Sequence, residues 1–233
     1  MLDVAVLGRF LTAFAQSLSV YYATAFVIDT LPPHISLPNL HKLPRPPGQK
    51  RRDALRAVAP NLVKALVLTV SDELGRRGLN LMYSGPISSL PALLYVLLSI
   101  LLMDILHDTW FYWTHRLLHW GPLYRAVHYM HHESRIPSAY SGYSFHVVEA
   151  AIVFANEILV AFLFPIHVHV HRVYHLAATI IHNAGHSGFE FAPFFPTIPG
   201  LLGFIGAAGG KHWVLNTVQH HDMHHRLVIK HFR

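Results

Sequence analysis

Residues 90–106 are almost uniformly apolar and carry one charged side chain, Asp104. Crossing a bilayer takes about 20 such residues in a helix. This run continues without a breaker into HDTWFYWTHRLLHW at 107–120, so the sequence predicts one long helix that leaves a membrane carrying histidines. Composition agrees. Hydrophobic residues make up 52% of the 233 and charged residues 13%, against roughly 25% charged in soluble domains. Disorder needs the opposite balance and is excluded. An ordinary soluble globule is a poor fit. The length allows one domain, with or without a tail. With no Cys, disulfides, thiolate metal ligands and Cys nucleophiles are ruled out. The net charge of +6 suits a face near anionic lipid. Nucleic acid is not an expected partner, because no basic face with a matching motif is present.

Other apolar runs complete the plan. Residues 10–31 form a candidate first span, read as an anchor because no clear cleavage site follows. Residues 31–60 are Pro-rich and carry Lys42, Arg45, Lys50, Arg51, Arg52 and Arg56, a basic linker expected in the cytosol. The expected division is therefore 1–60, anchor and linker, and 61–233, a membrane domain. Residues 61–82 begin apolar but meet Asp72, Glu73, Arg76 and Arg77, and read as an interfacial helix or a poor span. Residues 147–164 read as a strong span, although Glu149, Asn156 and Glu157 lie in it; intramembrane carboxylates usually face a protein interior. A third strong apolar stretch covers 168–181. Residues 192–210 read as a Pro- and Gly-rich loop, and 211–233 as short polar helix. If 147–164 and 168–181 form a hairpin, the histidines on either side of it share one face of the membrane. A cytosolic basic linker then requires 61–82 to cross as well.

The 21 histidines outnumber the 12 carboxylates. Four clusters stand out: His115 with His119; His128, His131 and His132; His182 with His186; and His221, His224 and His225. Residues three and four apart share a helical face, with Cβ atoms about 5–6 Å apart, close enough for two imidazoles to reach one metal ion. A lone H-x-x-x-H pair usually means nothing. Four such clusters flanking apolar spans predict a metal centre. Ten imidazoles exceed the needs of one four-coordinate ion, so two adjacent ions are expected. All-nitrogen ligation suits iron, zinc, copper or nickel rather than calcium or magnesium.

At about 100° per residue, Asp104, Asp108, His115 and His119 fall in one stripe. Asp108 is accordingly expected behind the ligands, accepting a hydrogen bond from a ligand's other ring nitrogen; its alternative role is a cap or polar contact at the membrane surface. His171 and His175 occupy the same stripe relative to His182 and His186. They read as outer groups or as interfacial histidines. Trp110, Phe111 and Trp113 either line a substrate channel or pack against lipid and core.

The stretches DTWFYWTHRLLH (108–119), LYRAVHYMHH (123–132), HSGFEF (186–191) and HHDMHH (220–225) resemble the fatty acid hydroxylase superfamily. These are membrane-bound non-haem di-iron oxygenases, including sterol desaturases, methylsterol oxidases and fatty acid hydroxylases. HSG followed by an aromatic, then HHDMHH, is more similar to the sterol-modifying branch. The resemblance implies an all-α membrane protein whose spans form a stalk under a cytosolic, His-rich di-metal cap. It also implies an endoplasmic-reticulum location, with two iron ions held by the ten boxed histidines. Electrons would come from NAD(P)H through a reductase and a b-type cytochrome, and the substrate would be a sterol-like or fatty acyl lipid.

Three departures qualify that reading. His146-Val-Val-Glu149 stands where the family shows His-Pro-x-Glu. GLLGFIGAAGGKHW lengthens the gap between His186 and His221. The sequence stops eight residues after His225, where relatives continue, so His221, His224 and His225 are expected to be the least secure ligands. The function expected is iron-dependent hydroxylation or desaturation of a lipid. The alternatives are an impaired relative that binds lipid or partners, and a His-rich metal transporter, which would need its ligands at mid-membrane.

Overall fold

Along the long helices of this chain, polar side chains face inward and leucines face outward. The computed structural model describes residues 3–31, 39–190 and 218–227. Helix α1 (Val4–Thr30) is capped by Asp3, whose side chain accepts the Ala5 N–H at 2.9 Å. α2 (Gln49–Arg56) and α3 (Val58–Arg76) follow, joined at Ala57. Along α3, Leu62, Leu66 and Val70 are exposed, whereas Asn61, Lys64, Thr69 and Ser71 are buried. α4 (Leu90–Leu118) repeats the pattern, exposing Leu94, Leu97, Leu98 and Leu101 while burying Ser99 and Thr114. In water this arrangement would be inverted; in hydrocarbon the outer face meets lipid and the polar groups pair inside. Val4–Thr30, Gln49–Arg76 and Leu90–Leu118 are each long and apolar enough to cross a bilayer. The chain is thus an all-α membrane protein with a His-rich cluster.

α1 packs on α3 and on α9 (Val168–Gly185). Its contact face is small: Ala13, Ser17 and Ala25, with Tyr21 between them, are fully buried. Small residues let helix backbones approach closely in lipid, and the few polar groups bond across. Ser17 Oγ donates to Asn61 Oδ1 at 2.6 Å, and Tyr21 Oη donates to the Tyr140 carbonyl at 2.6 Å. Tyr21 stacks on Tyr143, with ring centroids 5.1 Å apart, in a core completed by Phe145 and Phe154.

Residues 147–164 do not form the single span expected of them. They divide into α7 (Val147–Phe154), α8 (Asn156–Leu159) and a 3-10 turn, Val160–Phe162. The polar residues of this stretch are held by inward partners. Glu157 forms an ion pair with Lys64 of α3, and its carbonyl accepts from His171 Nε2 at 2.7 Å. Asn156 bonds to His107 at 2.9 Å. These residues therefore face a protein interior, on a helical stretch whose regular bonding is interrupted at Ala155 while the backbone stays right-handed. Two short strands, β1 (Met82–Tyr83) and β2 (Ile166–His167), pair in parallel in register Met82 with Ile166.

The basic linker is woven into the cap. Asp53 of α2 is fully buried and accepts from Ser134 Oγ at 2.7 Å, Ser141 Oγ at 2.8 Å and Ser144 Oγ at 3.1 Å. Arg56 pairs with Glu133. The loop after the second histidine cluster is thereby tied to α2. Between the end of α4 and that loop run α5 (Gly121–Leu123), a π-helical turn, Tyr124–His128, and α6 (Tyr129–His132). The last described element is α10 (Val218–Leu227). The expected loop at 192–210, and the ends of 211–233, lie outside the described residues.

Candidate metal centre

Nine of the ten boxed histidines converge into two neighbouring groups. His115, His119, His128, His132 and His224 form one, and His131, His186, His221 and His225 the other; within each, the donor nitrogens lie within 4.8 Å of one another. The H-x-x-H-H pattern explains the division. On a helix, residues i and i+4 differ by about 40°, while i+3 points about 60° to the other side. In the second cluster His128 and His132 therefore serve the first group and His131 the second. In the fourth cluster the roles reverse: His221 and His225 serve the second group and His224 the first. Each of these two helical segments contributes to both groups. The wide π turn at Tyr124–His128 completes the first group by bringing His128 Nε2 to 3.1 Å from His132 Nε2. Such turns recur at functional sites.

The contacts inside a group point to a cation. His119, His128 and His132 form a triangle of Nε2 atoms with sides of 3.0, 3.1 and 3.2 Å. A neutral ring nitrogen offers one N–H or one lone pair, so a closed triangle cannot be satisfied by hydrogen bonds alone. In the second group His186 Nε2 is 2.8 Å from His221 Nε2 and 3.2 Å from His131 Nε2. His225 is fully buried, and among the described residues neither of its ring nitrogens has a hydrogen-bond partner. For metal–nitrogen bonds of about 2.1 Å, ligands at right angles stand about 3.0 Å apart. The residues fit a nitrogen-ligated metal pair.

Outer groups fix which nitrogen faces inward. His128 Nδ1 donates to Glu149 Oε1 at 2.7 Å, and His186 Nδ1 donates to the His182 carbonyl at 2.7 Å. The His182 carbonyl has no proton to give, and an ionised Glu149 has none either, so with both as acceptors each Nε2 keeps its lone pair for the group. Asp108, the residue expected in this role, is exposed on α4, and its stripe misses because angle is not the whole geometry. Seven residues of helix add about 10 Å of rise between Asp108 and His115. Glu149→Ala is therefore expected to weaken metal retention by about 10–100-fold, whereas Asp108→Asn leaves it unchanged. Dialysis against a graded chelator series measures both.

His182 stands outside both groups. Its ring stacks on His186, with centroids 5.1 Å apart, and meets Phe111 edge-on at 5.4 Å. His171 and His175 lie deeper along α9 beside Glu157, away from the groups. Of the aromatics, Trp110 donates to the Ile152 carbonyl at 3.0 Å, Phe111 stacks on His115 and Trp113 is exposed.

The fourth cluster is tied at several points. Glu190 accepts the N–H groups of Val218 and Gln219 at 3.2 and 3.1 Å, capping α10. Asp222 accepts from His41 Nε2 at 2.7 Å, and Arg226 pairs with the same carboxylate at 2.6 Å. Arg45 reaches His41 Nδ1 at 3.3 Å and the Pro137 carbonyl at 2.9 Å. Gly188 belongs to this clasp. Its φ is +80°, and a Cβ there would meet the His41 ring at 2.2 Å, so only glycine fits. The linker residues His41 and Arg45 were not legible as site residues, and Asp222 was hidden among histidines.

Burial, reinforced in most of these rings by neighbouring imidazoles, holds the cluster neutral. His119 is pulled down to about 3 and His186 to about 4, and His128, His131, His221 and His225 fall well below the ordinary value. Neutral rings are what metal ligation requires. Between pH 6.5 and 4 the unfolded chain takes up protons that the folded cluster refuses. Stability of the metal-free protein must then fall with falling pH and level off above 6.5. Melting temperatures of chelator-treated protein across that range check the sign.

Residues 100–232 match the family model described as fatty acid hydroxylase. The chain is 28% identical to methylsterol monooxygenase erg25B of Aspergillus fumigatus over 144 residues, 60% of this chain and 44% of that protein. It is 29% identical to C-4 methylsterol oxidase erg25 of Schizosaccharomyces pombe over 140 residues, 58% of this chain and 42% of that one. Very-long-chain aldehyde decarbonylase GL1-8 of Oryza sativa subsp. indica is 28% identical over 190 residues, 81% of this chain and 65% of its own length. The chain spans about half the length of the sterol oxidases it matches. No solved structure matches it. With more than half of the sequence matched, and all four histidine clusters inside the matched stretch, this chain belongs to the fatty acid hydroxylase family.

Proposed function

We propose that this chain oxidises a sterol or related lipid with dioxygen, by hydroxylation or desaturation, using two iron ions held by its histidines. The observation that carries the reading is the 5 + 4 division of imidazoles into adjacent groups by two interlocked H-x-x-H-H segments. His115, His119, His128, His132 and His224 would hold one ion, and His131, His186, His221 and His225 the other. His182 would steady the His186 ring by stacking. An unactivated C–H bond has no acidic proton for a side chain to remove; the oxidant would be dioxygen, and two bound irons would supply its activation. The protein's own work is geometric. Glu149 and the His182 carbonyl fix two ligand tautomers, His41 and Arg45 hold α10 through Asp222, and Phe111 packs an aromatic wall against His115.

Orientation follows from the linker. Arg52 donates to Ser134 and Arg56 pairs with Glu133, so the basic segment lies at the same end as the histidines. Basic loops favour the cytosolic side. We therefore assign the cap to the cytosolic face of the endoplasmic reticulum, where NAD(P)H electrons would arrive through a reductase and a b-type cytochrome. The test is membranes containing the chain, supplied with NADH and mixed sterol and acyl lipids, read by mass. Gain of one oxygen or loss of two hydrogens, abolished by chelation, is expected. Iron-loaded protein that yields no product across both lipid classes overturns the proposal.

A further inference from the structure

The lipid-facing surface of the long helices does not stop where the histidines begin. On α4, Trp113 and Leu117 stand one turn apart on the outer face, 60% and 52% exposed, and Trp120 follows at 61%. Val147 and Val148, at the start of α7, are exposed as well. On α2, Leu55 is 63% exposed and extends the outward row of Val58, Leu62 and Leu66 on α3. A single apolar side chain on a wet surface is ordinary. Two tryptophans beside a leucine form a patch that calls for a partner.

An exposed cation closes each apolar row. Arg51 stands one turn before Leu55, and Arg116 stands beside Leu117. Arg116 donates to Tyr112 Oη at 2.9 Å, and its guanidinium lies 5.8 Å from the centre of the Trp113 ring. Arg9, Arg52, Arg56 and Arg172 pair with carboxylates; among the described residues Arg51 and Arg116 do not. The interval from Arg51 to Arg76 is 25 residues, and that from Leu90 to Arg116 is 26. At about 1.5 Å per residue these are about 38 and 39 Å of helix. The hydrocarbon of a bilayer is about 30 Å thick, and about 40–45 Å with its headgroup layers. Two helices running in opposite directions thus give the same width, and both end in the headgroup layer.

We propose that this rim binds the phospholipid headgroup layer, so that the histidine groups sit at the depth of the lipid phosphates rather than above the membrane. Trp113 and Trp120 suit that layer, where an indole ring meets the acyl boundary and its N–H meets headgroups or water. Arg116 and Arg51 present guanidinium to phosphate, which can accept two N–H bonds from one fork. Anionic lipid strengthens that contact, and the net charge of +6 favours it. A soluble partner protein would not account for the continuity of the patch with leucine rows that face hydrocarbon.

The level of Arg116 is also the level of the first histidine group. His115, a member of that group, is its neighbour on α4. On α7, Glu149, which meets His128, directly follows the exposed Val148. Two elements that carry the rim on one face therefore carry the group or its support on the other. The placement concerns the membrane alone and holds whether or not the chain oxidises lipid.

The chain has no Cys, so one introduced thiol carries one nitrobenzoxadiazole label. Leu117→Cys, and Leu66→Cys as a mid-membrane control, are labelled in the full chain and reconstituted into phosphatidylcholine–phosphatidylserine vesicles. Nitroxide lipids bearing the quencher on the headgroup, high on the acyl chain or at its end report depth. The label at 117 should be quenched best by the first two, and the label at 66 by the last. Trp113→Ser with Trp120→Ser should cut lipid quenching at 117 several-fold and move its emission to the red. Arg116→Glu, which repels phosphate, should do the same, and Arg116→Lys should not. The label at 66 should be unmoved in all of them, which shows that the spans are in place. No lipid quenching at 117 in the parent chain, or strongest quenching from the chain end, overturns the proposal. So does native quenching in both the tryptophan variant and Arg116→Glu. The parent profile alone decides if a variant fails to insert.

Discussion

Replacing His128 with alanine should abolish lipid oxidation and reduce bound metal from two ions to one. His128 is fully buried and occupies one corner of the Nε2 triangle with His119 and His132. Its Nδ1 also faces Glu149, which fixes its tautomer for the proposed ligation. Its removal leaves the first group without its best-oriented member, while His131, His186, His221 and His225 of the second group stay in place. His182→Ala should behave differently. It removes a stacking partner of His186 and none of the nine converging nitrogens, so both ions should remain, with the second held more weakly. Metal content and product formation measured together on both variants check the distinction. Equal loss in the two would mean that His182 is a ligand after all.

The buried ion pair between Lys64 and Glu157 carries the largest expected stability effect. Both side chains are 1% exposed, and Lys64 also sits over the Phe154 ring at 4.6 Å. Lys64→Met leaves an uncompensated carboxylate inside the bundle and should cost about 3–5 kcal/mol. Lys64→Met combined with Glu157→Leu removes both charges and should recover most of that loss, because a buried pair adds little over apolar residues of similar size. Melting temperatures of the single and double variants in detergent decide the matter. A single variant as stable as the parent would place Lys64 in contact with water.

Spacing made the histidine clusters legible, because i, i+3 and i+4 relations are local and survive any tertiary arrangement. Which group each histidine joins was less evident: H-x-x-H-H looked like one ligand face and is a divider between two. Asp108 had the right angle and the wrong height. Glu149 and Glu157 stood out as misplaced charges in an apolar run, and both proved to face inward, but their partners His128 and Lys64 are 21 and 93 residues away. The His41–Asp222 contact spans 181 residues and has no local signature. α3 looked like a poor span because of its four charges. Asp72 and Glu73 are paired with Arg172 and Arg9, and Arg76 and Arg77 are exposed at the helix end, so its outer face stays apolar.

Two metal ions, one in each histidine group, are what the proposed oxidation requires. Elemental analysis of the full chain, purified from iron-supplemented membranes, tests this most directly. Two irons per chain are expected, falling to one in His128→Ala and to one in His225→Ala, because each variant empties a different group. Folded protein with no bound metal, or with the same content in both variants as in the parent, would contradict it.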